Sequence, residues 1–114
     1  MLLSHWMRLR LACVKPVRLI QEAETELREA ALYYEEQQGG LGTEFIREIR
    51  MGLKMIQRAP EMWPVRGSGM RRYLIARFPF LVHYRVESER ILVVAIAHGN
   101  RKPGYWTDRI RGAI

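Results

Sequence analysis

With 114 residues, 48% of them apolar and 27% charged, the chain has material for one domain with one core, and it is neither a disordered polyelectrolyte nor a membrane-embedded protein. Cys13 is the sole cysteine and no Cys/His cluster has ligand spacing, which excludes an internal disulfide and points to a reducing, cytoplasmic setting with no metal and no cofactor. The net charge of +7 falls in the second half: residues 1–64 balance nine Lys/Arg with nine Glu, whereas residues 65–114 set ten Lys/Arg against Glu87, Glu89 and Asp108.

Residues 1–13 (MLLSHWMRLRLAC) are apolar with His5, Arg8 and Arg10 interspersed, and their uncharged runs are too short for a signal core or a membrane span. They read as an appendage to a domain that opens at Val14, a candidate native start. Residues 15–19 alternate as a short strand. Ile20, Ala23, Leu27, Ala30, Ala31 and Tyr34 then recur at helical spacing among glutamates, predicting an amphipathic helix of about five turns stopped by Gly39 and Gly40. Leu41 and Gly42 lead into a second helix with the stripe Phe45, Ile46, Ile49, Leu53 and Ile56, closed by Pro60. The short turn between them makes an antiparallel helical hairpin. Two prolines and two glycines make residues 60–70 a loop. Strands follow at residues 72–76 and 80–86, then a turn at 87–90. The unbroken apolar run 91–97 reads as a central strand covered on both faces. The basic, aromatic residues 100–114 read as an irregular tail.

The four-residue turn sets the expected register: Val86 opposite Ile91, Tyr84 opposite Val93, Val82 opposite Ala95. Phe80, Val82, Tyr84, Val86, Ile91, Val93, Ala95 and Ala97 then face the helical hairpin. Leu81, His83, Arg85, Leu92, Val94, Ile96 and His98 take the other face.

This order of strand, helical hairpin, loop, three-stranded meander and basic tail is similar to the RelE/ParE toxin fold. Residues 21–42 (QEAETELREAALYYEEQQGGLG) look like that family's first helix, where paired tyrosines precede a glycine turn. Residues 64–106 resemble its sheet and C-terminal signature through Arg71 with Arg72, Phe78-Pro79-Phe80, Tyr84-Arg85-Val86, and a close of His98, Gly99, Arg101, Pro103, Gly104, Tyr105 and Trp106. The resemblance covers about residues 15–106. It implies an α+β domain at 14–106, between the appendage 1–13 and a basic tail 107–114, with an N-terminal strand and the helical hairpin packed on one face of a small antiparallel sheet. It also implies the growth-inhibiting toxin of a type II toxin–antitoxin module, a plasmid stabilisation protein held by a cognate antitoxin in a hetero-oligomer. RelE-type members enter the ribosomal A site and cleave mRNA; ParE-type members poison DNA gyrase and are not nucleases.

RNA cleavage without a metal requires a group to take the 2′-hydroxyl proton, cations to offset phosphate charge, and an acid for the leaving oxygen. On that reading Arg72, Arg85 and Arg101 clamp the phosphate. His98 acts as base or acid, because imidazole titrates near neutrality, and Tyr105 stacks on a base or supplies a proton. The resemblance matches Arg101 and Tyr105 to the toxin tail. Plainer roles stay open. Glu87, two residues along the same face, neutralises Arg85; His98 caps a strand end; His83 is a structural hydrogen-bonding group. Tyr105 and Trp106 pin the tail, Tyr33 and Tyr34 pack the hairpin, and Trp63 with Met62 plugs the core or docks a partner. On the gyrase reading the same cations bind and none catalyses; an inactive relic is a third reading. Arginine supplies nine of the ten cations in the second half, and its planar fork suits phosphate. A polyanion is the expected partner, either nucleic acid or an acidic antitoxin strap.

Overall fold

Helical and two-residue periodicities lay down the elements in the computed structural model, which describes residues 15–102 and 104–113. The appendage 1–13 and the candidate start at Val14 lie outside the described residues. Strand β1 (Val17–Leu19) feeds helix α1 (Gln21–Gln37), and helix α2 (Leu41–Arg58) follows across Gly39 and Gly40. Gly40 takes a left-handed φ of 88°, a conformation that costs most residues but not glycine. The turn supplies no side-chain cap of its own, so Glu35 reaches forward from α1. Its carboxylate accepts the N–H groups of Gly40 (2.9 Å) and Gly42 (3.0 Å), which would otherwise be orphans at the start of α2.

Strands β2 (Arg71–Leu74), β3 (Phe80–Val86) and β4 (Ile91–His98) form the meander, and the sheet order is β1-β4-β3-β2. The α+β architecture is the expected one. The sheet is antiparallel across the meander, and β1 joins it parallel to β4. Ile91 to Ala97 is buried throughout, because β4 is flanked by two strands and covered on both faces. On the helix side Tyr34, Phe45, Phe78 and Phe80 interlock, with Tyr34–Phe78 and Phe45–Phe80 centroids 4.8 and 4.9 Å apart in edge-on geometry. Tyr34 thus packs the hairpin while Tyr33 stays exposed. Trp63 closes the core edge-on to Tyr73 at 4.8 Å, and Met62 is left outside.

Two expectations need correction. The tail is not irregular: Thr107–Ala113 forms a third helix, α3. Seven residues cannot hold a helix alone in water. Here Trp106 and Ile110, four apart, seat on Met70, Leu92, Val94 and Ala95 on the far face of the sheet. The register, second, holds only near the turn. Val86 pairs with Ile91 and Tyr84 with Val93, but His83 pairs with Ala95 and Val82 with Ile96. Val94 is an extra residue, and this bulge reverses every face beyond it. Ile96 joins the helix-side core, Ala95 joins the far side, and His98 lies opposite Phe80 with the two rings 5.4 Å apart.

Candidate functional site

The face of the sheet away from the hairpin carries a cavity of about 380 Å³ between β2, β3, the 66–70 loop and the chain leading into α3. Met70, Leu81, Ala97 and Trp106 give it an apolar floor, and Arg66, Arg72, Arg101 and Lys102 give it a cationic rim. Among the described residues, no aspartate or glutamate lines it. Each rim position has a local cause. Arg72 pairs with His83 across β2 and β3, on the open face. Arg66 is held by a tight turn in which its N–H bonds the Met70 carbonyl (2.7 Å), and Gly69 supplies the left-handed φ of 71°. The Arg101 N–H closes a turn on the His98 carbonyl (3.0 Å), and its guanidinium lies 4.0 Å from the centroid of the Tyr105 ring.

Behind this rim sits a network that composition and periodicity did not announce. One Glu26 oxygen accepts the Ile96 N–H (3.0 Å) and an Arg109 N–H (2.8 Å); the other accepts the Tyr105 hydroxyl (2.5 Å) and a second Arg109 N–H (3.1 Å). Arg109 also donates to the Val94 carbonyl (3.2 Å). The pairing of β1 with β4 ends at Val93, so the β4 groups beside the bulge have no strand to bond, and this ion pair satisfies them. Burial opposes ionisation of Glu26, but the bonds from Arg109, Tyr105 and Ile96 outweigh it and hold the carboxyl below its ordinary range. The Tyr105 phenol is pushed up, by burial first and then by the bond to Glu26 and its charge.

Burial, and next the charge of Arg72, lower His83 to about 4, with Glu26 pulling weakly the other way. Its ring packs against Trp106 at 5.4 Å as a neutral imidazole. An unfolded chain protonates this histidine at about 6.5. Between pH 6.5 and 4 the unfolded state therefore binds a proton that the fold refuses, and stability should decline as pH falls through that window. The urea midpoint should drop between pH 7 and pH 5, and His83→Gln should flatten the drop; an equal drop in both proteins would reject this cause.

Of the five residues expected to form a catalytic set, Arg72, His98, Arg101 and Tyr105 line the cavity. Arg85 does not. Its guanidinium bonds Glu87 (2.6 Å), which also holds Arg90 (2.6 Å), so the neutralising role of Glu87 read from the sequence is the one seen. His98 sits at the cavity's end with Nδ1 accepting the Asn100 N–H (3.0 Å). Arg71, beside Arg72, turns instead to the carbonyls of Glu61 and Trp63 and ties down the loop. Arg66, Lys102, Glu26 and Arg109 were missed. Glu26 did leave a signal: it lies three residues after Ala23 and four before Ala30, on the buried stripe of α1 rather than its solvated side. Arg66 left none, because a loop has no period.

Among solved structures the chain is similar to one from the chromosomal ParDE TA system from P. aeruginosa, with 19% identity and a TM-score of 0.68, over 75% of this chain and 97% of that one. At that identity the likeness speaks for the fold. No curated protein sequence matches. The family described as ParE toxin of type II toxin-antitoxin system, parDE, matches residues 17–103, from β1 to the turn before α3. A match across nearly the whole domain settles its kinship: the chain belongs to the ParE toxin family of type II toxin–antitoxin systems.

Proposed function

We propose that this toxin acts by binding rather than by cutting RNA, and that its target is DNA gyrase, the machine poisoned by ParE-type members of the superfamily it resembles. The observation that carries the reading is the state of Tyr105. A general acid must face its substrate with a proton to give at neutral pH. The Tyr105 hydroxyl is already spent on Glu26, and burial and that carboxylate make its proton harder to release. His83 is neutral and packed against Trp106, and His98 packs edge-on to Phe80. The cations remain available to grip an anionic surface.

Family membership implies a partner antitoxin. We infer that it lays an amphipathic segment along the groove of about 700 Å³ between α1 and α2, where Leu27, Ile46 and Leu53 offer an apolar bed. Brief expression in growing cells, with transcript ends mapped at codon resolution and gyrase-linked DNA breaks measured in parallel, tests the target. Breaks should accumulate while transcripts stay whole, and Tyr105→Phe should still arrest growth. Codon-phased cleavage that disappears in Tyr105→Phe would overturn the reading in favour of a ribosome-dependent nuclease. Silence in both assays would leave an inactive relic.

A further inference from the structure

We propose that the exposed side of the helical hairpin is a self-association surface, on which two copies of this chain pair about a two-fold axis with α1 of each lying along α2 of the other. The pairing does not depend on which machine the toxin targets.

Charge placement is the first support. Helix α1 holds six Glu and one Arg, a net −5, whereas α2 holds four Lys/Arg and two Glu, a net +2. The even balance of the first half of the chain is thus a segregation onto two neighbouring helices. Glu22, Glu29 and Glu36 recur every seven residues on the side of α1 opposite the buried Ala23 and Ala31. Arg47 and Lys54 keep the same interval, with Arg58 beyond them, opposite the buried Phe45, Ile49 and Ile56 of α2. All six charged residues are exposed, and among the described residues none of them makes a salt bridge. Seven residues are two turns, about 10.5 Å, on either helix, so one alignment satisfies two ion pairs at once.

Symmetry selects that alignment. Inside the hairpin Gly42 comes against Ala31 and Glu35. Counting away from this contact along antiparallel helices, Glu29 lies level with about residue 46 and Glu22 with about residue 53. A two-fold axis parallel to the helices keeps each residue at its level and exchanges the helices. Glu29 of one copy then meets Arg47 of the other and Glu22 meets Lys54, each contact made twice. An axis across the helices would instead set α1 on α1, −5 against −5.

Apolar surface is the third support. Exposed ion pairs choose a register but contribute little affinity. Leu32 (57%), Tyr33 (59%), Met51 (56%) and Met55 (42%) remain exposed beside the charged stripes and supply the area to bury. A second copy is the occupant that suits both helices. Helix α1 repels a polyanion such as DNA, and α2 repels a basic segment, whereas another hairpin offers base to the acid and acid to the base.

Sedimentation velocity on the full-length chain, over a concentration series at low and high salt, reads the mass directly. A rise from 13.5 kDa toward twice that value is expected, and salt should weaken it. Glu29→Arg and Arg47→Glu each put like charges into both copies of one contact, so each should weaken pairing about tenfold or more. Circular dichroism should match the parent's, because both positions are exposed. An equimolar mixture of the two variants should pair again, since one contact is then native and the other has its charges exchanged. The chain carrying both changes should also pair. Arg66→Glu makes the same change in net charge on the other side of the sheet and should pair like the parent. The proposal is overturned if the mass stays at 13.5 kDa throughout, if the well-folded reversals pair like the parent, or if neither the mixture nor the combined chain recovers. It is equally overturned if the parent stays single and binds duplex DNA that Arg47→Glu no longer binds, which would give the α2 ridge to nucleic acid.

Discussion

Removing the Glu26 carboxylate, as Glu26→Ala, is expected to destabilise the domain by about 3 kcal/mol and to lower its melting temperature by roughly 10 °C. Side-chain exposures of 15% for Glu26 and 19% for Arg109 mean that water screens the pair poorly, so the small values typical of surface ion pairs do not apply. An intact pair of this kind contributes little net stability, because dehydrating both ions offsets most of their attraction. Taking one partner away is different. Arg109 keeps its charge without a counter-ion, the Ile96 N–H loses its acceptor beside the bulge, and the Tyr105 hydroxyl loses its partner. All three defects fall where α3 meets β4. Hydrogen exchange at the Ile96 amide should therefore accelerate more than exchange in the α1–α2 hairpin. Glu87→Ala, at a turn where Arg90 stays 44% exposed, should cost less than about 1 kcal/mol. Because the folded pKa of Glu26 is depressed, its contribution is fully present above the unfolded carboxylate value of about 4.3 and is lost as pH falls through the folded value. Equal urea midpoints for Glu26→Ala and the parent at pH 7 would mean that α3 is not docked through this carboxylate.

The same carboxylate marks where the sequence could be read and where it could not. Elements with a sustained period were legible, down to the Gly39–Gly40 stop and the strand Phe80–Val86. So was the register next to the turn, because a four-residue connection fixes its own first pairs. The bulge at Val94 was not. A run of Ile, Leu, Val and Ala is apolar at every position, so one inserted residue leaves no break in the pattern. What makes the bulge tolerable lies far away in sequence, in Glu26 and Arg109, and no local rule joins residues 83 apart. Four of the five expected site residues do share one cavity, because Arg72 follows from the strand period and Arg101 and Tyr105 sit in the turn that follows β4. Their chemistry was less legible than their position. Tyr105 reads as a proton donor in the sequence, and only the fold shows that its hydroxyl is already bonded.

Gly42→Ala should destabilise the domain by about 2 kcal/mol, although a glycine-to-alanine change inside a helix ordinarily stabilises by about 1 kcal/mol. The reason is the contact at the helical hairpin. A Cβ at this position would lie 2.5 Å from the Ala31 carbonyl oxygen and 3.0 Å from both Cβ and Oε1 of Glu35. A carbonyl in the middle of α1 cannot step aside without moving the helix. Glu35 could rotate away, but its carboxylate holds the Gly40 and Gly42 N–H groups, so yielding would uncap α2. Either response separates α1 from α2 at the end where Phe45 meets Tyr34, and the aromatic cluster loosens with it. Gly39 is the natural control, since it has open space around its Cβ position and no left-handed φ; Gly39→Ala should be neutral or slightly stabilising by restricting the unfolded chain. Chemical denaturation of the two variants side by side measures the difference. Should Gly42→Ala unfold at or above the parent's midpoint while Gly39→Ala behaves as expected, the helices cannot approach as closely as the hairpin geometry requires.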